Sequence, residues 1–278
     1  MKKILLSSAI ALCTALLSIW IIGGELISTA NHAVGSPPDS LHAESVQFDG
    51  VHGWFVPAVQ MEACILLLHG VRADRTSMIS RAQFLSAAGY TVLMIDMQAH
   101  GETQGDKITF GYRESESAKS AIKYLRVSRH CNRIVAIGTS LGGAASLLGS
   151  APIDADALIL EAVYPTIEAA ITNRLAIRVG ALAPFISPLF YEQIPYRLGT
   201  PLGALRPLDA IKNYHRPILI IGGSEDQHTK LSETEQLYAS ANAPKELWII
   251  QGAKHQDFHR FAGAEYEQRL LSFIMQAM

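Results

Sequence analysis

A chain of 278 residues with 49% hydrophobic and 17% charged residues holds enough apolar material for one sizeable core, and its length suits one α/β domain with a small insertion. The formal net charge is −2 and no basic run is present, so the sequence carries no electrostatic footprint for nucleic acid. No internal repeat or low-complexity tract is found.

The N-terminus differs from the rest. Lys2 and Lys3 precede an uncharged apolar run over residues 4–22, and the first acidic residue is Glu25. Crossing a bilayer takes about 20 apolar residues, whereas secretory signal cores have about 7–15. The length favours an uncleaved inner-membrane anchor, with the lysines on the cytoplasmic side and the body facing the periplasm or cell exterior. Ser28 and Ala30 are small enough to leave signal cleavage, and a secreted or periplasmic product, open. A buried core helix is disfavoured, because the run has no polar face to show to water. Cys13 follows the bulky Leu12 and does not read as a lipoprotein cysteine. Residues 1–27 are thus expected as anchor or signal peptide, 28–43, with Pro37 and Pro38, as a linker, and 44–278 as the main domain.

Within that domain, residues 45–48 and 53–56 open as a pair of strands. Apolar runs follow at 64–68, 91–95, 133–137, 157–160, 217–221 and 247–250. Runs apolar on both faces predict strands of a buried parallel sheet. Helices are predicted over 80–88, 114–127, 141–149, 231–241 and 265–278. The second begins with acids and ends with Arg126 and Arg129, as the helix dipole prefers. This alternation implies a doubly wound α/β sheet. Residues 164–214 break the rhythm. They are rich in Pro, Leu and aromatics and too long for a structureless loop, and so are expected to form a helical cap over a site.

The strongest chemical signal is Gly138-Thr139-Ser140-Leu141-Gly142-Gly143, between a predicted strand and a predicted helix. A turn that tight strains the serine backbone and leaves its hydroxyl above the sheet edge, beside a helix N-terminus. A helix-capping serine is the ordinary alternative. A serine nucleophile needs a base, and the base an acid to orient it. Asp226 follows a strand within Gly222-Gly223-Ser224-Glu225-Asp226, and His255 follows the last strand within Gly252-Ala253-Lys254-His255. In a fold of this kind the partners are expected in the order Ser, Asp or Glu, His at strand ends. Glu225 and Glu161 compete as acids. Asp226 is preferred for the freedom the Gly-Gly turn gives it. His228 and His259 read as surface or helix-start histidines, and Asp257 as a cap for the final helix. Two backbone N–H groups should hold the oxyanion, that of Leu141 and, from the loop after His69-Gly70, that of Val71.

Together these motifs resemble the α/β-hydrolase superfamily, and residues 66–113 resemble its bacterial serine aminopeptidase-like and dienelactone-hydrolase-like members with a short cap. The resemblance covers residue 45 to the C-terminus. It implies a mostly parallel eight-stranded sheet, no metal and no cofactor. One departure is visible. Where such proteins often carry D-x-R-G-x-G-x-S, this chain reads Asp96-Met97-Gln98-Ala99-His100-Gly101-Glu102-Thr103. Neither a dinucleotide fingerprint, a phosphate-binding lysine loop nor a zinc-spaced histidine pair occurs.

Cys64 and Cys131 each lie near the start of a strand, and in this fold the strands are neighbours. A disulfide is open in an oxidising compartment, but the offset along the strands favours two buried free thiols. The sequence therefore predicts a serine hydrolase cleaving small-molecule carboxylic esters. A peptidase, a thioesterase or acyltransferase using the same triad, and a non-catalytic membrane-tethered binding module, are the alternatives.

Overall fold

The structure, a computed structural model, describes residues 2–58 and 63–277. It opens with helix α1 (Lys2–Leu26), whose apolar surface is largely exposed. A two-residue strand β1 (Ala30–Asn31) and the strands β2 (Glu44–Phe48) and β3 (Val51–Val56) follow. The chain then runs through β4 (Cys64–Leu68), α2 (Ile79–Ala87), β5 (Thr91–Ile95), β6 (His100–Gly101), α3 (Glu114–Ser128), β7 (Ile134–Thr139), α4 (Leu141–Leu147) and β8 (Ala157–Glu161). A helical insertion comes next: α5 (Ile167–Val179), α6 (Ala183–Ile186), α7 (Pro188–Tyr191), α8 (Ile194–Leu198) and α9 (Pro207–Ala210). The chain closes with β9 (Ile218–Gly223), α10 (Leu231–Ser240), β10 (Lys245–Ile250), α11 (Phe258–Ala262) and α12 (Ala264–Ala277). Met278, the expected last residue of the final helix, lies outside the described residues.

The main sheet has eight strands in the order β10-β9-β8-β7-β4-β5-β3-β2. Only β2–β3 and β3–β5 pair antiparallel. Helices cover both faces, and the strands show why. In β4, Cys64, Leu66 and Leu68 enter the core on one face while Ile65 and Leu67 enter the core on the other. Leu93 and Ile95 against Val92 and Met94 repeat the pattern in β5. A strand that must be apolar on both sides reads as an unbroken run, which is what the sequence shows. The order reverses at β4, which is flanked by β5 on one side and β7 on the other. Chains leaving β4 and β7 diverge there, and the crevice they open is where sheets of this kind hold their ligands.

Residues 28–43, expected as a linker, are bound to the body. Ala30 and Asn31 pair in parallel with His100 and Gly101. Asn31 Nδ2 donates to the carbonyls of Gly101 and Thr103 at 3.1 and 2.7 Å, and Ile108 N donates to Ile27 O at 2.9 Å. Ile27 itself is buried in the core.

The expectation of two free thiols is corrected: Cys64 and Cys131 form a disulfide, with Cα atoms 6.0 Å apart. Cys64 pairs in register with Ile134, three residues beyond Cys131. Along a straight strand that offset would separate the cysteines. The chain is not straight there, because His130 turns it in the left-handed region (φ 57°) and Cys131 N bonds back to Leu125 O. The bridge closes a loop with a sequence separation of 67 residues. Replacing both cysteines with alanine should therefore cost about 4 kcal/mol by the loop-entropy relation and lower the thermal midpoint by roughly 10 °C. Calorimetry of the wild type against Cys64→Ala/Cys131→Ala checks this, and equal midpoints would remove the bridge as a stabilising element.

Below the sheet edge a buried charge network ties three elements. The Arg81 guanidinium in α2 meets Glu161 at the end of β8 (2.8 Å) and Asp257 (2.9 Å), and donates to Tyr266 Oη in α12 at 3.0 Å. Tyr266 in turn donates to Glu161. Both Arg81 and Glu161 are buried, so in low dielectric Glu161 depends on the Arg81 charge, and Arg81 on Glu161 and Asp257 together. Glu161, a competing acid by sequence, is thereby committed to structure. Asp257, expected to cap the final helix, instead caps the short α11, accepting from His259 N and Arg260 N.

Candidate active site

Ser140 stands between β7 and α4 with φ 50° and ψ −104°, a backbone conformation that L-residues reach only under constraint. The flanking glycines supply the room. A Cβ on Gly138 would lie 2.5 Å from Gly143 N, and one on Gly142 would run into the carbonyl of Leu68. The turn is pinned by Ser140 N donating to Glu161 O at 2.7 Å and by Thr139 Oγ1 donating to Glu161 Oε2 at 2.9 Å. The helix-capping alternative is not realised, since the Ser140 side chain caps nothing in α4. Its Oγ makes no hydrogen bond among the described residues.

Val71 follows β4 across the crevice. The loop carrying it is held by the buried His69, whose Nδ1 donates to Gly70 O (2.7 Å) and whose Nε2 accepts from Met97 N (3.1 Å). Burial, reinforced by the neighbouring His100, pushes the His69 ring down to about 3. Between about pH 6.5 and 3 the unfolded chain takes up a proton here that the folded one refuses, so stability must fall with pH through that window, by up to about 1.4 kcal/mol per pH unit from this ring. Urea midpoints at pH 7, 6 and 5 should fall in that order, and the slope should flatten in His69→Gln. An unchanged midpoint across the range would refute it.

The loop after β5, where the sequence departs from the family pattern, keeps a structural task. The Asp96 carboxylate is buried and accepts from the amides of Arg75 (2.8 Å) and Glu102 (2.9 Å) and from the Arg75 guanidinium. The arginine at this point comes from the turn before α2.

Asp226 lies just after β9, nearly inaccessible. Its Oδ2 is 2.7 Å from His255 Nδ1, and its Oδ1 accepts from the amides of His228 (2.7 Å) and Thr229 (2.8 Å). Three bonds fix the carboxylate, and the acid–imidazole geometry is that of an orienting pair. Glu225, the other competing acid, is exposed. His259 sits in α11 between Ser80 Oγ and Glu267.

Ser140, Leu141 and Val71 line one cavity of about 440 Å³. Its far walls come from α5, from Phe190 and Ile194 in the insertion, and from Ile22, Gly23 and Leu26 at the end of α1. His228, expected on the surface, lines it too and stacks on His255 at 4.9 Å between ring centroids. Burial, with His255 and Arg174 adding to it, lowers the His228 pKa. Two residues sit two apart from a strand-end acid and on a helix without any motif to mark them, so His228 and Arg174 have no sequence signal as cavity residues. The Gly23-Gly24 pair in α1 is a usable one: a Cβ on Gly23 would lie 2.6 Å from Gln193 Oε1, so the pair marks close approach to the insertion.

A central strand–turn–helix serine at the switch point of a mostly parallel, doubly wound sheet defines an α/β hydrolase. The chain belongs to the alpha/beta hydrolase family, whose sequence model matches residues 65–269. Among relatives it is 24% identical to the uncharacterized protein YqkD of Bacillus subtilis, across 92% of this chain and 91% of that one. It is 27% identical to the uncharacterized protein YfhR of Escherichia coli K12, across 87% and 84%. Among solved structures, the esterase Pf2001 of Pyrococcus furiosus shares the fold with a TM-score of 0.72 at 20% identity, covering 90% of this chain and 98% of that one.

Proposed function

We propose that the protein is a membrane-tethered serine esterase. Ser140 attacks the ester carbonyl while His255 takes its proton. The N–H groups of Val71 and Leu141 hold the oxyanion. His255 then protonates the leaving alcohol, and water repeats the sequence on the acyl-enzyme. Asp226 holds the imidazole in the tautomer that leaves Nε2 free to accept, and stabilises the imidazolium. The reading rests above all on one observation: a strained, uncapped serine at the switch point, on a cavity whose wall is stacked against an imidazole already paired to a buried carboxylate. The Ser140–His255 hydrogen bond closes when substrate seats, since such bonds are often long in the free enzyme.

The cavity favours an ester over a peptide. An aminopeptidase needs a carboxylate for the substrate amine, and among the described lining residues there is none. Glu168 pairs with Arg206, and Glu192 is exposed.

Membrane attachment is supported by the apolar window Leu6–Leu26, with mean hydropathy 2.0, in a helix of 25 residues. Such a helix is about 37 Å long against a hydrocarbon core of about 30 Å. Retention of the helix is favoured over cleavage, because a cut after Ala30 would remove buried Ile27 and half of the β1–β6 pairing. The Cys64–Cys131 disulfide supports a body on an oxidising side of the membrane.

A fluorophosphonate probe tests the esterase reading. Peptide mapping by mass spectrometry should locate the label on Ser140 alone. A folded protein that takes no label would sink it and leave a binding module.

A further inference from the structure

The cavity carries more positive charge than an ordinary ester site needs. Its wall includes four arginines, Arg72, Arg174, Arg178 and Arg197, and among the described residues no carboxylate lies within ion-pair distance of any of them. Two have an evident task at the end of α1. Arg72 Nη2 donates to Ser28 Oγ at 2.9 Å and to the carbonyl of Glu25, and Arg197 donates to Trp20 O while lying 3.9 Å over its ring. Arg197 ties α1 to the insertion and Arg72 ties its C-terminal end to the loop after β4, and Ile22 and Leu26 thereby become part of the cavity wall.

Arg174 has no such task. It is half-buried in α5, and among the described residues its one hydrogen bond is to Ala170 O in its own helix. Asp226 and Glu233 are near enough to act on it electrostatically, but both are committed. Asp226 is taken by His255 and two amides, and Glu233 by Asn173 Nδ2 at 2.7 Å and Lys230 N at 3.1 Å. Burial lowers the Arg174 pKa, and the more distant Tyr164, Asp226 and Glu233 offset this only in part. A desolvated cation facing a cavity without a partner anion is unfavourable, and a ligand anion would relieve it. Arg178, one turn further along α5 and exposed, extends the same positive edge.

The rest of the wall is apolar, with Ile22, Leu26, Ile171, Leu175, Phe190 and Ile194 among its residues. At about 440 Å³ the space suits one acyl chain rather than two. Its exposed lining residues Ile22, Leu26 and Ile177 put an apolar rim beside the helix read as the membrane anchor. Leu182, Phe185 and Tyr196, all strongly exposed, continue that surface on the insertion.

We propose that the cavity takes a single-chain acyl ester with an anionic headgroup, drawn from the bilayer, with Arg174 meeting the anion and the end of α1 walling the acyl chain. The reaction in this proposal rests on the esterase reading, but the binding does not, and the two can be separated.

The test is calorimetric binding to the full-length protein in detergent micelles of ether-linked ligands, which no esterase cleaves. A 1-O-alkylglycerol 3-phosphate is compared with the uncharged 1-O-alkylglycerol of the same chain. One charge-assisted contact should make the phosphate bind about tenfold tighter or better, and Arg174→Met should bring the two ligands within about threefold of each other. Leu26→Trp, which leaves the charge untouched, should weaken a long-chain ligand more than a short-chain one. Equal wild-type affinities, or a preference that survives Arg174→Met, would overturn the proposal. Inorganic phosphate binding as tightly as the amphiphile would overturn it too, by reducing the site to one for a free anion. Should binding behave as expected while the corresponding esters are not turned over, the lipid site stands and the esterase reading falls. If esters are cleaved without regard to charge, only the lipid proposal falls.

Discussion

Ser140→Ala should lower kcat/KM for a short acyl ester by about 10⁵- to 10⁶-fold, leaving only the residual rate that an oxyanion site and binding supply. The loss is this large because the proposed mechanism gives the covalent step no other nucleophile: the hydroxyl stands at the end of β7, and its position depends on a turn with φ 50° that glycines on both sides permit. Alanine retains a Cβ and adds no bulk, so the fold should be untouched, or slightly stabilised if strain at the serine is relieved. Steady-state hydrolysis of a 4-nitrophenyl ester, with thermal midpoints as control, decides the matter. A variant with a tenth of the wild-type rate would move the nucleophile elsewhere.

Asp226→Asn should lower kcat by about 10⁴-fold at neutral pH with little change in KM. The substitution is nearly isosteric, and its carbonyl oxygen can still accept from the amides of His228 and Thr229, which hold Oδ1 at 2.7 and 2.8 Å. The amide nitrogen then faces His255 Nδ1, where the carboxylate stood at 2.7 Å. An N–H group there requires Nδ1 to accept, which places the ring proton on Nε2 and leaves no base for Ser140. The imidazolium formed during attack also loses its counter-charge. A pH–rate profile distinguishes this from simple damage, since part of the rate should return at high pH. Loss of less than about tenfold would show that another acid, with Glu225 the nearest in sequence, orients the ring.

The sheet was legible because its strands need apolar side chains on both faces, and runs such as Cys64 to Leu68 can hardly mean anything else. Strand ends were less so. The sequence predicts a strand ending at Ile137 where β7 continues to Thr139, because Gly138 reads as a breaker when it is in fact required for close packing against Gly143. The positions of Ser140, Asp226 and His255 follow from order along strand ends, and the structure brings the last two into contact. What escaped the sequence depended on non-local geometry. The disulfide was masked by a one-residue left-handed turn at His130. Arg174 looks like any solvated helix arginine until the insertion folds over it. His228 looks like a loop residue until it stacks on His255. The pairing of Ala30 with His100 leaves no pattern in either segment.

That last pairing bears on how the enzyme would find its substrate. A free linker of 16 residues would let the body wander about 20–24 Å from the point where α1 leaves the bilayer. Here the strand β1 and the bonds of Asn31 to Gly101 and Thr103 hold the chain against the body from its first residues after α1. On the membrane-tethered reading proposed above, the body would then have little reach or rotational freedom, and its cavity would stay near one height above the lipid surface. For the lipid substrate proposed above, search would become diffusion in a plane, governed by the surface density of the lipid rather than by its concentration in solution.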